Sequence, residues 1–247
     1  FSMAGEREDS WGKKKKFREG QSEQTLDDLS FVFIDTVAKL RPKTVIMENV
    51  EGLLLGNAYK YVEKIYAMFK EIGYTVRHWL LKCENMGVPQ TRHRVFFVAT
   101  RLDFDLSNID LTFNYEPITF GNIMTGQHPV ENGKRAEVAK LSNEEDKLLG
   151  DTMMRLYNKR TYFSERIVYR NKICPTLVAG GSDIWIENWG VKINQNEIIN
   201  AQTFPQDYNY CGQKPKYICG MSVPPIMIKR LMTRLIESGL YNYKLNR

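Results

Sequence analysis

The chain has 247 residues, of which 43% are hydrophobic and 26% charged, a globular composition that allows one large or two small domains. Its formal net charge of +6 suits a polyanionic partner such as nucleic acid, and the lack of an apolar run of transmembrane length argues against a membrane protein. The four cysteines lack the spacing of a zinc site or a disulfide framework, so no metal is expected and a reducing cytoplasm is the predicted compartment.

The amino-terminal part of the sequence alternates between helix and strand patterns. Helices and strands are predicted in turn over 26–40, 44–47, 59–72, 75–81 and 95–99. The apolar side of the first helix would consist of Leu29, Val32, Phe33, Val37 and Leu40. The run 44–47 is apolar and rich in β-branched residues, which predicts a buried parallel strand that ends at Glu48. This alternation predicts a doubly wound α/β unit.

The rest of the chain has a weaker pattern. From 102 to 169 short segments are separated by Asn, Gly and Pro, with one helix predicted over 143–157. This stretch is predicted to be a separate, loop-rich module. Two further helices are predicted over 194–203 and 225–238, and Gly239 would end the second of them.

Five short segments carry most of the residues that suggest chemistry. In chain order they are Glu-Asn-Val at 48–50, Gln-Thr-Arg-His-Arg at 90–94, Pro-Thr-Leu at 175–177, Gln-Thr-Phe-Pro at 202–205 and Gly-Met-Ser-Val-Pro-Pro at 220–225. Each has a structural explanation when taken alone. Their order, however, resembles the motif series of DNA (cytosine-5) methyltransferases. The resemblance extends from Phe1 to about Leu240, apart from the variable middle module.

The resemblance implies an α/β fold with two parts. One is a Rossmann-like, S-adenosylmethionine-dependent methyltransferase sheet whose amino-terminal strands are missing, and the other is a small, loop-rich target-recognition domain. Residues 1–101 would be the later part of the catalytic domain with a base-flipping loop at 1–24, residues 102–169 the target-recognition domain, and residues 170–247 a hinge and helices that return to the catalytic domain. The family's nucleophilic cysteine lies in a Pro-Cys-Gln segment that would precede Phe1. We therefore expect the nucleophile and most of the cofactor site in an amino-terminal methyltransferase segment, on the same or a separate polypeptide.

The resemblance also implies a reaction, the methylation of cytosine C5 in DNA by S-adenosyl-L-methionine on a cytosine rotated out of the duplex. Glu48 matches the family carboxyl group that supplies a proton at N3 of the base. Arg94 matches the arginine that holds the cytosine O2, while Arg92 and Gln90 match residues that support the pocket. The alternatives from the residues alone are a solvated or helix-capping acid for Glu48 and a surface salt bridge for the two arginines.

Contacts with the cofactor and with DNA are implied at other positions. Those with the cofactor are Leu29, Met221, Ser222 and Val223, where Met221 replaces the usual Asn of the family. Those with DNA are Ser2, Lys13, Lys14, Lys15, Lys16, Gln90 and Arg170. The alternatives are an ordinary helix-core leucine at Leu29 and a solvated face for the lysine run.

Three functions are compatible with the sequence. The first is an active DNA methyltransferase of a restriction-modification or orphan methylase system, with double-stranded DNA as its partner. The second is a catalytically inactive DNA-recognition subunit, or a fragment of a split methyltransferase. The third is a transfer-RNA methyltransferase of the same family. For each of them we expect a cytoplasmic, nucleoid-associated protein of bacterial or phage origin, without membrane or metal.

Overall fold

The helices and strands belong to two units, in a computed structural model that describes residues 28–180 and 182–242. The described part of unit 1 consists of residues 28–81, 93–111 and 233–242, and unit 2 consists of Lys82–Arg92 and Thr112–Met232. These bounds differ from the predicted segments 1–101, 102–169 and 170–247. The roles assigned to those segments stay predictions.

Unit 1 is built on a three-stranded sheet. Its elements are α1 (Leu29–Leu40), β1 (Thr44–Val50), α2 (Tyr59–Glu71), β2 (Thr75–Lys82) and β3 (His93–Thr100). The strand order is β1-β3-β2, and β1 pairs with β3 in antiparallel register, from Thr44 opposite Thr100 to Val50 opposite Arg94. The prediction of a parallel strand was therefore wrong for this pairing. The burial of β1 alternates along the strand, as in a sheet with one buried face, and a four-residue apolar run is too short to reveal that alternation.

The apolar core of unit 1 corrects the predicted orientation of α1. Phe31, Ile34 and Val37 pack into the core with α2, β1 and β3. Of the five residues predicted to face inward, only Val37 is buried, and the other four are exposed: Leu29 by 47%, Val32 by 57%, Phe33 by 38% and Leu40 by 75%. Apolar residues occur on both sides of this helix at helical spacing. Periodicity alone therefore could not select the buried side.

The predictions for α2 and the last two strands of unit 1 are confirmed. Val62, Ile65 and Phe69 of α2 are buried against the sheet, at the spacing expected of one helix face. Gly73 follows the helix with φ of 79°, a left-handed conformation that glycine adopts without a steric penalty. The strong periodicity of this segment explains why its bounds were predictable.

Unit 2 contains short helices and one small sheet. Its elements are α3 (Lys134–Lys140), α4 (Leu149–Tyr157), β4 (Arg166–Val168), β5 (Ile184–Ile186), α5 (Gln195–Gln202), α6 (Pro215–Met221) and the first part of α7 (Pro225–Glu237). The parallel strands β4 and β5 form the sheet. Helices α5 and α7 were predicted, whereas α3, α6, β4 and β5 are too short to give a periodic signal. None of the helices in the described ranges is long and apolar enough to cross a membrane.

The predicted helix over 143–157 begins later than expected because a buried carboxylate organises the preceding turn. Asp146 is 3% exposed and accepts hydrogen bonds from the backbone N–H of Asn143 at 3.0 Å, from Thr152 Oγ1 at 3.0 Å and from Arg155 Nη2 at 2.6 Å. Burial alone would raise the pKa of Asp146, but these hydrogen bonds outweigh it, and the pKa lies below its ordinary value of 3.8. Asp146 thus holds the Asn143 turn against α4.

We expect Asp146→Asn to lower the free energy of unfolding by about 2 kcal/mol at neutral pH, because the amide loses the charge-assisted hydrogen bonds. The folded-state pKa is below the ordinary value of 3.8, so this stabilisation is complete above that value and is lost as the pH falls through the folded-state pKa. Urea unfolding at neutral and successively more acidic pH checks both statements. The exposed Asp207→Asn serves as the control, and a difference between wild type and Asp146→Asn that did not change with pH would contradict the assignment.

Candidate active site

A carboxylate and a guanidinium meet where β1 and β3 run side by side in unit 1. In the antiparallel register Glu48 lies opposite Phe96 and Arg94 opposite Val50, so Glu48 and Arg94 are diagonal neighbours on one face of the sheet. Arg94 Nε lies 2.7 Å from Glu48 Oε1, and the Glu48 side chain is 35% exposed. Arg94 Nη1 also donates to the backbone oxygen of His93 at 2.7 Å. The structure therefore joins two predicted site residues and leaves the carboxylate accessible to a ligand.

A second pair of interacting side chains, which the sequence did not predict, lies at the end of the pairing between β1 and β3. His93 Nδ1 lies 3.0 Å from Glu51 Oε2, one position beyond the pairing of Val50 with Arg94. Both side chains belong to unit 1 and are partly exposed. Each partner directly follows or lies within a motif already singled out. No local signal in the sequence gives this pair, because it depends on the register of the two strands.

Gln90 is buried in unit 2, where its side-chain amide makes three hydrogen bonds. Its Nε2 donates to Gln202 Oε1 at 2.5 Å and to the backbone oxygen of Ala201 at 3.3 Å, while its Oε1 accepts from the backbone N–H of Leu177 at 2.9 Å. Three of the motifs are thereby joined through one side chain. Gln90 is fully buried, and both ends of its amide are engaged inside the protein. Its contact with DNA stays a prediction. The contacts favour the supporting role that the resemblance also implied.

Arg92 is likewise buried, with 4% of the residue exposed. Its Nη1 donates to the backbone oxygen of Leu177 at 3.0 Å and its Nη2 to that of Gly220 at 3.1 Å. A side chain at Gly220 would place its Cβ 2.2 Å from the backbone nitrogen of Ala179, so this close approach requires glycine. Arg92 was predicted among the catalytic residues. Its contacts tie two backbone segments of unit 2 together, and its role in catalysis stays a prediction.

The residues predicted to contact the cofactor occur in both units. Leu29, in unit 1, is 47% exposed, and Met221, at the end of α6 in unit 2, is 64% exposed. Ser222 Oγ donates to the backbone oxygen of Ile218 at 2.7 Å, and the backbone oxygen of Ser222 accepts from Gln202 Nε2 at 2.8 Å. Val223 is half-buried. The cofactor role of these four residues stays a prediction.

Of the residues predicted to contact DNA, Arg170 is exposed in unit 2. Its guanidinium carbon lies 5.7 Å from the centroid of the Trp189 ring, and its backbone N–H donates to Glu187 Oε1 at 3.2 Å. Ser2 and the lysine run Lys13, Lys14, Lys15 and Lys16 lie outside the described residues. Contact with DNA therefore stays a prediction at each of these positions.

The four cysteines all belong to unit 2, and two of them, Cys174 and Cys219, do not have the properties of an activated nucleophile. Burial raises the pKa of the Cys174 thiol to about 12 and that of Cys219 to about 11, so both are protonated at neutral pH. Cys83 is buried against Met227, with 3.2 Å between the two sulfur atoms, and Cys211 is exposed. Among the described residues, no group of three or more His, Cys, Asp or Glu side chains is placed to hold a metal ion.

Comparisons with known sequences agree on one family. The family model for C-5 cytosine-specific DNA methylase matches residues 1–237. The type II methyltransferase M.NgoFVII of Neisseria gonorrhoeae is 25% identical over 240 residues, which are 86% of this chain and 63% of that protein. M1.ScrFI of Lactococcus lactis subsp. cremoris is 26% identical over 208 residues, which are 80% of this chain and 50% of that protein. This chain thus spans less than two thirds of the length of these relatives.

Solved structures agree on the fold. A DNA modification methyltransferase encoded within a prophage of E. coli superposes with a TM-score of 0.62 and 18% identity, and the match covers 90% of this chain and 76% of the other. A mutant of Spodoptera frugiperda DNMT2 gives a TM-score of 0.55 and 16% identity, and the match again covers 90% of this chain and 76% of the other. The predicted mixed α/β methyltransferase fold is confirmed. Because the family model matches nearly the whole length, the chain belongs to the C-5 cytosine-specific DNA methylase family.

Proposed function

We propose that this chain forms the base-binding and DNA-reading part of an enzyme that methylates cytosine C5 in duplex DNA with S-adenosyl-L-methionine, within a restriction-modification or orphan methylase system. The ion pair of Glu48 and Arg94 carries the proposal, because it joins an accessible carboxylate and a guanidinium at the two positions that the motifs predict. The enzyme would act in the cytoplasm of a bacterium. An inactive DNA-recognition subunit has less support, since a DNA clamp does not require this pair.

The pair suits the Watson–Crick edge of cytosine. A carboxyl group placed against N3 and the exocyclic amine can share a proton at N3 as negative charge develops on the ring during methyl transfer. A guanidinium has five N–H donors, so Arg94 can hold the Glu48 carboxylate with Nε and offer other donors to the cytosine O2. In this arrangement Arg94 orients both the carboxyl group and the base.

The reaction also requires access to the base and a nucleophile. Because C5 and C6 are shielded in a stacked duplex, the target nucleotide would be rotated out at a cost of about a few kcal/mol. The segment 1–24 is the proposed base-flipping loop. A thiolate that adds to C6 would make C5 nucleophilic. Two of the three buried cysteines have raised pKa values, and none of the four lies in a matching motif. We therefore assign the role of nucleophile to none of these four cysteines.

Two exposed apolar side chains fit contact with S-adenosyl-L-methionine. Leu29 in unit 1 and Met221 in unit 2 each leave apolar surface uncovered, and contact with an adenosyl group is proposed for each of them separately. The hydroxyl of Ser222 is engaged by the backbone oxygen of Ile218, so Ser222 shapes the backbone at the end of α6. The bound cofactor would supply the methyl group, and Val223 would line its site beside Met221.

The proposal is tested with the full-length polypeptide that contains this chain, or with both polypeptides if the enzyme is split. The intact mass of every polypeptide in the purified sample, compared with 28.8 kDa, shows first which segments are present. Incorporation of labelled methyl groups is then measured with duplex DNA and with transfer RNA. Label at cytosine C5 of DNA supports the proposal, and label in transfer RNA alone would support the transfer-RNA alternative. No incorporation into either substrate would reject the proposal that the chain is part of a methyltransferase.

The lysine run gives a separate prediction for DNA binding. We expect that changing Lys13, Lys14, Lys15 and Lys16 to Ala weakens duplex binding and reduces the dependence of log K on log salt by about 0.9 for each phosphate that the variant no longer neutralises. Binding titrations over a range of salt concentrations measure this slope. The exposed lysines Lys60 and Lys70 of α2, changed to Ala, are the control. An unaltered slope in the quadruple variant would show that the run is an ordinary solvated face.

A further inference from the structure

The loop that connects α4 to β4 in unit 2 presents an aromatic side chain to solvent. Residues 158–165 form this loop, which we name the Phe163 loop. Phe163 is 77% exposed, more than any other aromatic side chain of the described residues. A single exposed apolar residue needs no special explanation. The backbone and the charges around this one, however, distinguish it from an ordinary surface residue.

The backbone of the loop is held firmly against α4. Gly150 lies in the first turn of α4, and a Cβ there would be 2.7 Å from the backbone oxygen of Thr161 and 3.2 Å from the Cα of Phe163. The loop thus packs on the helix at a distance that only glycine permits. Asn158 and Tyr162 adopt left-handed conformations, with φ of 52° and 56°, and the backbone N–H of Glu165 donates to the oxygen of Tyr162 at 3.2 Å. Phe163 is therefore displayed on a fixed backbone.

The surface around the loop is cationic. Lys159 and Arg160 precede Phe163 and are exposed, and the one acidic residue of the loop, Glu165, is buried. The Arg135 guanidinium carbon lies 5.1 Å from the centroid of the Tyr162 ring, and the same ring lines a cavity of about 310 Å³ together with Lys134. These four cations lie on or beside one loop. Such a combination of cations and aromatic rings suits a polyanion with stacked bases.

The carboxylate of Glu165, at the end of the loop, is directed away from solvent. Glu165 is 7% exposed and directed inward, where its Oε2 accepts a hydrogen bond from Trp185 Nε1 at 2.9 Å. Its other oxygen, Oε1, is 3.7 Å from Arg135 Nε, and Arg135 remains 56% exposed. The charge of Glu165 is thus buried, whereas Glu131, which lines the same cavity as Tyr162 and Lys134, is partly exposed and pairs with Lys192 at 3.4 Å. Lys159 and Arg160 face solvent. Charge complementarity therefore favours a nucleic acid over an apolar protein partner.

We propose that the Phe163 loop is a duplex-DNA contact, in which the Phe163 ring packs against a base step and Lys159 and Arg160 bind the flanking phosphates. Apolar side chains inserted at base steps and cations on adjacent phosphates are the two components of such contacts. The inference rests on the proposed function and specifies which residues hold the DNA. The fixed backbone matters because a wedge that is already ordered loses little conformational entropy on binding.

The aromatic contact is tested by DNA-binding titration of the full-length polypeptide. Phe163→Ala is expected to weaken duplex binding roughly tenfold or more, since stacking of an aromatic side chain on a base contributes on this scale. Phe163→Trp, which keeps a stacking surface, should restore most of the affinity. Leu40→Ala in unit 1 removes an apolar side chain of similar exposure, 75%, and is expected to have no effect. The melting temperature should not change in any of these variants, because the replaced side chains are exposed.

The cationic contact has a different signature. Lys159 and Arg160 changed together to Ala should reduce the salt dependence of log K by about 2, whereas Phe163→Ala should leave that slope unchanged. The exposed Lys39 of α1, changed to Ala, is the control. Unchanged affinity of Phe163→Ala, or an unchanged slope for the double variant, would overturn the assignment.

The outcomes separate this inference from the proposed function. If the unaltered enzyme methylates DNA but the loop variants bind duplex normally, the loop assignment is wrong and the proposed function stands. If the unaltered enzyme neither binds nor methylates DNA, both fail. A loss of binding that is confined to transfer RNA would assign the surface to RNA and contradict the inference.

Discussion

Replacing Glu48 by Gln is expected to lower methyl transfer by about 10²- to 10⁴-fold, the range for removal of a general acid or base. The amide has the shape of the carboxyl group but cannot supply a proton at N3 of the cytosine. It also loses the charge that pairs with Arg94, whose Nε lies 2.7 Å from Glu48 Oε1. Affinity for duplex DNA should not change, because most of the binding free energy comes from phosphate contacts elsewhere.

The measurement is the rate of methyl incorporation at saturating DNA, together with a binding titration of the same variant. Glu51→Gln is a matched control, since Glu51 is a neighbouring carboxylate of unit 1 that pairs with His93 instead of Arg94. We expect only a small change in its rate. If Glu48→Gln turned over as fast as the unaltered enzyme, Glu48 would not be the residue that protonates the base.

Arg92→Met is expected to lower the free energy of unfolding by about 3 kcal/mol, which is a large fraction of the stability of a typical domain. The substitution removes the donors to the backbone oxygens of Leu177 and Gly220, and both bonds are made by a side chain that is almost wholly buried. An unsatisfied buried carbonyl costs the full desolvation of that group. Because Met is apolar and unbranched, the cavity should be small and the effect should come from the lost hydrogen bonds.

Urea unfolding followed by circular dichroism measures this change. Arg101→Met is the control, because Arg101 also donates to backbone oxygens, those of Arg41 and Pro42, but does so near the surface. Water can replace its hydrogen bonds, so we expect a loss below about 1 kcal/mol there. Equal losses in the two variants would mean that burial does not determine the contribution of Arg92.

Residue patterns predicted the helices and strands whose bounds depend on apolar spacing, capping residues and backbone conformation within the element itself. Helix α2 has a regular apolar stripe and a glycine at its end, so its bounds follow from spacing and backbone conformation alone. The same holds for α5, where Asn194 accepts a hydrogen bond from the backbone N–H of Glu197 as a helix cap. The meeting of Glu48 and Arg94 was implied by resemblance, because no local pattern shows which strands become neighbours.

The remaining features depend on tertiary contacts. Helix α1 is apolar on two sides, and only the sheet beneath it decides that Phe31 and Ile34 are buried while Leu40 is not. Gln90 and Gln202 are far apart in the sequence, and a polar residue with helical or loop spacing gives no sign of full burial. The pair of His93 and Glu51 depends on strand register. Register is set by packing and turn geometry, which a single sequence does not display.

The motif Gln90-Thr91-Arg92-His93-Arg94 is divided between the two units, since unit 2 takes the first three residues and unit 1 the last two. This division limits how chimeras with related methylases can be built. If a relative's segment replaced 112–232 alone, Gln90 and Arg92 would face foreign partners at positions 177, 202 and 220. A graft that keeps the buried hydrogen bonds must carry 82–92 together with 112–232 and join the recipient at His93. The segment to be exchanged is therefore discontinuous in sequence.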